Sequence, residues 1–261
     1  MNSLGFIGGG RITQIFLQAM HNKNVAVDTI VVSDPDDKKL DRLKNGFSKF
    51  NPAAGSNTDA ASQDIVFLAV HPPVLKEVLP EIADALSQTK AVVSLAPVFT
   101  SDQISGMLNG FNKLVRMIPT AAVYVNSGYN PVWFSNTISE TIKKQLLDLF
   151  TVLGDCPHVD EEKLEAYAIV TAMGPTYLWP PLNELHKLAL EFGMTENETV
   201  DGIKAMVANT IELMYDAGLS YDEVVDLIPV KPLGESEQDF REVYRTKLNA
   251  LYKKLKGKAN G

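Results

Sequence analysis

Short apolar runs alternate with amphipathic segments through the first part of the chain. The runs are rich in β-branched residues and too short for helices, so they predict buried strands at residues 3–7, 29–33, 65–70, 91–95, 114–117 and 132–134. Between them, apolar residues recur at helical spacing over residues 12–20, 36–45 and 74–86. This alternation predicts an α/β fold, with a Rossmann-type doubly wound parallel sheet over residues 1–159.

The periodicity changes beyond residue 160. Apolar positions there follow helical spacing, over residues 164–173, 182–192, 196–215 and 240–255, and no run has the pattern of a strand. We therefore predict an all-helical second domain at residues 160–261. Its boundary depends on the change of period alone.

A glycine-rich turn follows the first predicted strand, and residues 8–13 fit the pattern Gly-x-Gly-x-x-small, with Thr13 in the last place. Gly8 allows a tight turn, and Gly10 lets a pyrophosphate approach the backbone. The helix that starts at Arg11 and Ile12 offers unpaired N–H groups to phosphates. The preceding strand and the following amphipathic helix favour a nicotinamide dinucleotide site over a bare glycine turn that closes a β-α unit.

Charged and polar residues at the end of the second predicted strand bear on the choice of dinucleotide. Asp34 could accept hydrogen bonds from a ribose diol and would repel a 2'-phosphate, which favours NAD over NADP. The alternative is that Asp34 caps the following helix. Ser33, Lys38 and Arg11 are candidates for holding a phosphate, although Arg11 could equally lie on the solvated face of its helix.

The third predicted strand ends at the edge where open α/β sheets bind ligands. Ala69, Val70 and Pro72 are therefore further candidates for cofactor binding. His71 is a candidate for contacting the nicotinamide or donating a proton, and a hydrogen-bonded loop histidine is the alternative.

Composition narrows the class of protein. The net charge is −8, which argues against nucleic acid as a partner. The single cysteine excludes an intrachain disulfide and a cysteine-based zinc site, and the four histidines lack metal-ligand spacing, so we expect no metal site and a cytoplasmic setting. We identify neither a signal peptide nor a membrane span. The expected partner is a small-molecule substrate.

Five segments, taken together and in order, have the pattern of a known family. They are residues 5–10 (GFIGGG), 64–72 (DIVFLAVHP), 92–96 (VVSLA), 115–120 (VRMIPT) and 174–177 (GPTY). In these segments the chain resembles the pyrroline-5-carboxylate reductases, which reduce a cyclic imine to proline. The resemblance implies a Rossmann domain that binds NADP or NAD, a helical dimerisation domain, and an active site between them.

The resemblance also implies catalytic and substrate-binding residues. Thr171 and Met173 stand where the family has the serines of a Ser-Gly-Ser-Gly-Pro segment, Thr120 replaces an asparagine, and His71 replaces a lysine. The candidate catalytic residues are His71, Thr171 and Thr176, and the candidate substrate-binding residues are Thr120, Met173, Gly174 and Pro175. The helix that opens at Gly174 and Pro175 could bind a carboxylate through its free N–H groups, or be a plain helix start.

The late Ser-Pro-Gly-Gly-Thr-Thr loop of the family, which helps to hold the substrate carboxylate, has no counterpart here. Residues 228–234 (IPVKPLG) stand in its place. Because prolines stiffen this segment, we expect Lys231 to supply the cation that balances a substrate carboxylate. The alternative is a solvent-exposed linker lysine.

The sequence thus predicts an NAD(P)H-dependent oxidoreductase that reduces a cyclic imine. No residue pair of the kind used by hydroxyacid dehydrogenases is recognisable, which favours reduction of C=N over C=O. Two alternatives remain: the same scaffold could act on another imino or oxo acid, or the protein could bind a dinucleotide without turnover. We expect a homodimer or a larger homo-oligomer.

Overall fold

The predicted strands assemble into one sheet in the computed structural model, which describes residues 3–47 and 53–259. In chain order the strands are β1 (Ser3–Ile7), β2 (Thr29–Ser33), β3 (Ala53–Ala54), β4 (Ile65–Leu68), β5 (Ala91–Ser94), β6 (Leu114–Met117), β7 (Gly128–Tyr129), β8 (Val132–Phe134) and β9 (Gly154–Asp155). Seven of them pair in the order β3-β2-β1-β4-β5-β6-β8. Only the β6–β8 pairing in this sheet is antiparallel, so the predicted Rossmann-type sheet is confirmed.

The strand order reverses beside β1. The chain runs outward from β1 to β2 and β3, then returns to build β4, β5 and β6 on the other side of β1. Ile7 of β1 is level with Ser33 of β2 and with Leu68 of β4. Open α/β sheets bind their ligands at such a reversal, outside the carboxyl ends of the strands.

Helices connect the strands and continue the chain beyond the sheet. They are α1 (Arg11–Asn22), α2 (Asp37–Gly46), α3 (Asn57–Ala61), α4 (Pro72–Ile82), α5 (Ser101–Met107), α6 (Glu140–Phe150), α7 (Leu164–Tyr167), α8 (Pro175–Glu191), α9 (Glu196–Tyr215), α10 (Tyr221–Asp226) and α11 (Glu237–Ala259). A π-helical segment, Ala168–Ala172, continues α7. The sequence pattern did not predict the short helices α3, α5 and α10, because a few residues carry too little periodicity.

Aromatic side chains hold the first helix against the sheet. The rings of Phe6 and Phe67 stack with their centroids 4.7 Å apart, and Phe16 of α1 packs edge-on against Phe67 at 5.5 Å. On the other face, Gly5 lies directly under α3, where a Cβ would overlap the carbonyl oxygen of Ala60. The core therefore fixes the start of α1 relative to the end of β1.

The chain divides into two compact units, Met1–Met173 with Leu251–Gly261, and Gly174–Ala250. The spacing of apolar residues changes near residue 160, just after the last strand. The boundary between the compact units lies further along the chain, after Met173. The difference arises because α7 and the π-helical segment belong to the first unit: Leu164 and Ala168 are buried against Ile118. The second unit is helical, as predicted, and Thr199 is the one buried residue among residues 174–250. Within the part of the chain that the structure describes, no helix is long and apolar enough to cross a membrane.

Candidate functional site

The glycine turn between β1 and α1 is fixed by its own backbone and by Thr13. Gly8 has φ +105°, and a Cβ there would lie 2.6 Å from the carbonyl oxygen of Ala69, so only glycine fits. The Gly8 N–H donates to the Ser33 carbonyl at 2.7 Å. The buried Thr13 hydroxyl donates to the Gly8 carbonyl, which explains how a threonine serves where the motif usually has a smaller residue.

The start of α1 faces open space. A Cβ built on Gly10 meets no described atom within 4 Å. Among the described residues, no side chain caps this helix, and its first turn holds no acidic residue. The first N–H groups of a helix have no partner within it, and they carry its positive end. The turn is therefore an open cradle that fits the pyrophosphate of a dinucleotide.

A cavity of about 480 Å³ extends from this cradle along the carboxyl ends of β1, β4, β5 and β6. It brings together most of the residues that the sequence assigned to the cofactor: Gly8, Gly10, Arg11, Ile12, Asp34, Ala69, Val70 and Pro72. Ser33 is outside this lining, since its hydroxyl is directed to the side chain of Asn57. The volume suits a small-molecule or cofactor site.

The Asp34 carboxylate is fully engaged within the chain. Its Oδ1 accepts from the Asp36 N–H at 2.9 Å, and its Oδ2 accepts from the Gly9 N–H at 2.9 Å. The Lys39 ammonium lies 3.1 Å from Oδ1 and 3.2 Å from Oδ2. Burial alone would raise the pKa of Asp34, but the hydrogen bonds from Asp36, Gly9 and Lys39 outweigh it and hold the pKa below its usual range. The side chain thus ties the glycine turn to β2 and α2, and its role toward a ribose diol stays a prediction.

The other end of the cavity is mostly apolar. His71 lines it at the start of α4, together with Pro97, Pro119 and Met173. The His71 side chain is exposed and does not cap its helix. Ala168 and Ala172 of the π-helical segment complete this wall. Single-turn π-helical segments are frequent at functional sites, which agrees with the position of this one.

Besides Ser33, two predicted site residues of the first unit lie outside the lining of this cavity. The Thr171 hydroxyl donates to the Tyr167 carbonyl at 2.8 Å. Thr120 is buried, and its N–H donates to Oδ1 of Asn130 at 3.1 Å. Its hydroxyl has no hydrogen-bond partner among the described residues. The catalytic role of Thr171 and the substrate role of Thr120 stay predictions.

The remaining predicted residues belong to the second unit. Gly174 precedes α8, Pro175 is its first residue, and Thr176 follows. Lys231 is exposed in the segment between α10 and α11, where its carbonyl accepts from the Gly234 N–H at 3.0 Å. Their roles toward a substrate also stay predictions.

Lys39 and the proline walls were not predicted from the sequence. The predicted phosphate candidate Lys38 is exposed and lies outside the cavity lining, whereas Lys39 is half-buried and lines it. Lys39 could have been predicted, because α2 begins soon after Asp34 and Lys39 lies in its first turn. Pro97 and Pro119 follow β5 and β6, and could have been found by applying the strand-end rule to every parallel strand.

A buried ion cluster lies behind the proline wall. Arg116 of β6 is 1% exposed; its guanidinium donates to Glu161 at 2.8 Å and to Glu165 at 3.0 Å. It also donates to the Pro97 carbonyl at 3.2 Å. Lys256 lies 3.1 Å from the second oxygen of Glu165, whose side chain is 2% exposed. The positive charges of the two cations cancel the negative charges of the two carboxylates. The cluster connects the cavity wall to α7 and to the end of α11.

The thiol of Cys156 is not placed for nucleophilic chemistry. Burial raises its pKa to about 11, more than the hydrogen bond from Asn130 lowers it. A thiol with so high a pKa is almost entirely protonated at neutral pH and therefore unreactive. The described residues also hold no cluster of three or more His, Cys, Asp or Glu that could bind a metal.

The fold and the cradle define a Rossmann-type protein that binds a nicotinamide dinucleotide. Residues 3–97 match the family model described as NADP oxidoreductase coenzyme F420-dependent. Pyrroline-5-carboxylate reductase of Escherichia coli (strain K12) is 24% identical over 226 residues, which cover 86% of this chain and 84% of that protein. The enzyme of the same name from Methanosarcina acetivorans is 22% identical over 95% of this chain and 92% of its own length.

Solved structures show the same architecture. The pyrroline carboxylate reductase of Plasmodium falciparum, solved with NADP bound, superposes with a TM-score of 0.80 at 20% identity, over 98% of each chain. A pyrroline-5-carboxylate reductase from Coxiella burnetii gives a TM-score of 0.73 at 25% identity, over 99% of this chain and 98% of that one. At low identity but over most of its length, the chain is similar to pyrroline-5-carboxylate reductases.

Proposed function

We propose that this protein is an NAD(P)H-dependent reductase of a cyclic imine, of the pyrroline-5-carboxylate type. The observation that carries the proposal is the contrast between the two ends of the cavity. The charged groups Arg11, Asp34 and Lys39 lie at one end, and His71 is the one titratable side chain among the described residues that line the other. The relatives named pyrroline-5-carboxylate reductase, and the Plasmodium structure with NADP, support the same activity.

The chemistry of an imine suits this lining. A protonated imine carries its positive charge across nitrogen and carbon, so hydride added to the carbon yields a neutral amine without a further proton in that step. A ketone would instead need a donor for the developing alkoxide. The bound nicotinamide supplies the hydride, and the chain's own residues orient the reactants and exclude water. The apolar wall of Pro97, Pro119, Ala172 and Met173 fits that task.

The assay follows oxidation of the reduced cofactor with pyrroline-5-carboxylate, and then with a panel of cyclic imines and small oxo acids. Turnover with a cyclic imino acid, and none with the oxo acids, is expected. Faster turnover with an oxo acid would assign the scaffold to another substrate. Cofactor binding without turnover of any member of the panel would favour a dinucleotide-binding protein that is not an enzyme.

Lys231 is the proposed partner of the substrate carboxylate. It lies in an exposed segment flanked by Pro229 and Pro232, where a fixed ammonium can form a charge-assisted pair. Lys231→Ala should raise KM for the anionic substrate by about tenfold with cofactor affinity unchanged. Lys204→Ala, which removes another exposed lysine of the same unit, is the matched control. Equal KM values in the two variants would leave the carboxylate to another group.

A homo-oligomer is the proposed assembly. Apolar side chains of the second unit are widely exposed, among them Phe192 at 79%, Tyr215 at 75% and Val230 at 72%. Exposed apolar surface of this extent marks an interaction site, and a second copy of the chain is the partner that the family resemblance implies.

A further inference from the structure

The imidazole of His71 is the one titratable side chain among the described residues that line the apolar end of the cavity. It comes shortly after β4, so it lies at the carboxyl edge of the sheet, where open α/β sheets bind ligands. Lys76 and Glu77, the charged residues that follow it on α4, lie outside the lining. Within the lining that the structure describes, a proton delivered at this end of the cavity therefore has a single source.

The two prolines that open α4 keep the imidazole out of the helix cap. A residue before proline disfavours the helical conformation, and His71 is extended, with φ −67° and ψ 150°. A capping side chain accepts from an N–H of the first turn, but Pro72 and Pro73 have none, and the Val74 N–H donates to the His71 carbonyl at 3.0 Å. Among the described residues no hydrogen bond or ion pair engages the imidazole, so its ring nitrogens stay open to a ligand.

The hydroxyl groups that the sequence placed near this site in the first unit are less suited to giving up a proton. The Thr171 hydroxyl donates to the Tyr167 carbonyl at 2.8 Å, and the Thr120 hydroxyl is buried outside the lining. Proton transfer is also most efficient from a group that titrates near the working pH, which an imidazole does and an aliphatic hydroxyl does not. His71 is therefore the better candidate for an acid at this end of the cavity.

The apolar wall makes an internal proton source useful. Pro97, Pro119 and Met173 share the lining with His71, and they offer no polar side-chain group that could replace the water around an incoming cation. Because an apolar lining penalises a charge more than a neutral molecule, the uncharged form of an imine enters such a site at a lower cost than its iminium. The iminium is nevertheless the form that accepts hydride readily, so the proton has to be supplied inside the cavity.

We propose that His71 is the catalytic acid that protonates the nitrogen of the cyclic imine. The N–H bond of the imidazolium breaks and leaves its electron pair on the ring, while a new N–H bond forms at the imine nitrogen. The resulting iminium accepts the hydride at carbon and becomes a neutral amine. His71 then takes a proton from water, which its exposed side chain can reach. This role rests on the proposed function, because it needs an imine in the cavity.

The experiment compares pyrroline-5-carboxylate with its N-methyl iminium, which is permanently charged and needs no proton. His71→Gln keeps a polar side chain of similar size without the titrating group. At mildly alkaline pH it should lower kcat/KM for the imine by about 100-fold and leave kcat/KM for the N-methyl iminium nearly unchanged. His21→Gln is the matched control, since His21 is exposed in the last turn of α1, outside the lining, and should change neither value.

A pH series gives a second, independent measurement that uses the imine alone. As the pH falls, more of the imine arrives already protonated, so the deficit of His71→Gln relative to the unaltered protein should shrink. A deficit that is the same at every pH would overturn the proposal, also where the methyl group keeps the iminium out of the site.

Two further outcomes would overturn the role of His71. Equal losses for the imine and the N-methyl iminium would show that the side chain serves binding or positioning, and an unchanged kcat/KM for the imine would show that another group supplies the proton. No turnover of either substrate by the unaltered protein would instead overturn the proposed function itself, so the two failures are distinguishable.

Discussion

Gly8 and Gly10 belong to one turn, but only Gly8 is required by the fold. Gly8 is demanded by its positive φ and by the nearby Ala69 carbonyl, whereas a Cβ on Gly10 meets no described atom. The fold therefore accepts a side chain at Gly10, and only a bound pyrophosphate would exclude one. The two glycines of the motif thus have different physical reasons within a single turn.

Gly10→Val should abolish saturable binding of the reduced cofactor, measured by fluorescence titration, while the melting temperature stays close to that of the unaltered protein. Gly106→Val is the control, because Gly106 lies on the exposed face of α5 with equally open space around its Cβ position. It should bind cofactor normally. A folded Gly10→Val variant that titrates like the control would show that the pyrophosphate lies elsewhere.

At the scale of elements, the Arg116 cluster joins parts of the chain that no local pattern connects. Arg116 on β6 reaches Glu161 and Glu165 around the start of α7, and Lys256 near the end of α11 reaches Glu165. Removing one member of a buried ion cluster costs more than the net value of the pair, because the partners remain buried and unbalanced. This cluster should therefore be a principal anchor of the wall that Pro97 contributes to the cavity.

Arg116→Leu should lower the free energy of unfolding by about 3–5 kcal/mol, since it leaves the Glu165 carboxylate with Lys256 alone. Urea denaturation followed by circular dichroism measures the change. Lys163→Ala breaks the exposed pair with Asp160 and should leave the midpoint where it was. If both variants shift the midpoint equally, the buried cluster has no special role in stability.

For the whole molecule, the second unit is the part that a single chain leaves incomplete. Thr199 is its one buried residue, although helices gain most of their stability by packing an apolar face. The first unit, by contrast, buries apolar side chains on every central strand. The proposed second copy would cover the exposed apolar face of this unit and add to its stability.

Sedimentation at micromolar concentration should show a dimer or a larger species. Ile211→Asp places a charge on the exposed apolar surface of α9, where the side chain is 52% exposed, and should shift the protein toward monomer. Lys144→Asp on α6 of the first unit changes a surface charge without touching that face, and should sediment like the unaltered protein. A monomeric unaltered protein would contradict the proposed assembly.

The sequence by itself determined six of the seven strands of the sheet, the helical second half and the glycine cradle; it did not predict the two-residue strand β3. These features depend on period and on residue type over a few neighbouring positions, so β2, β6, β8 and α9 have the predicted bounds. The sequence also placed Gly8, Gly10 and Ala69 at the cavity, because these residues come shortly after the ends of β1 and β4.

The tertiary structure alone decided which charged side chains meet and where the compact units part. The sequence left Asp34 open to a ribose, but the fold brings the Gly9 N–H and Lys39 onto its oxygens. It also brings Arg116 to Glu165 and Lys256. Such pairings depend on the packing of whole elements, and the free energy of each pair depends on its burial, which no local pattern encodes.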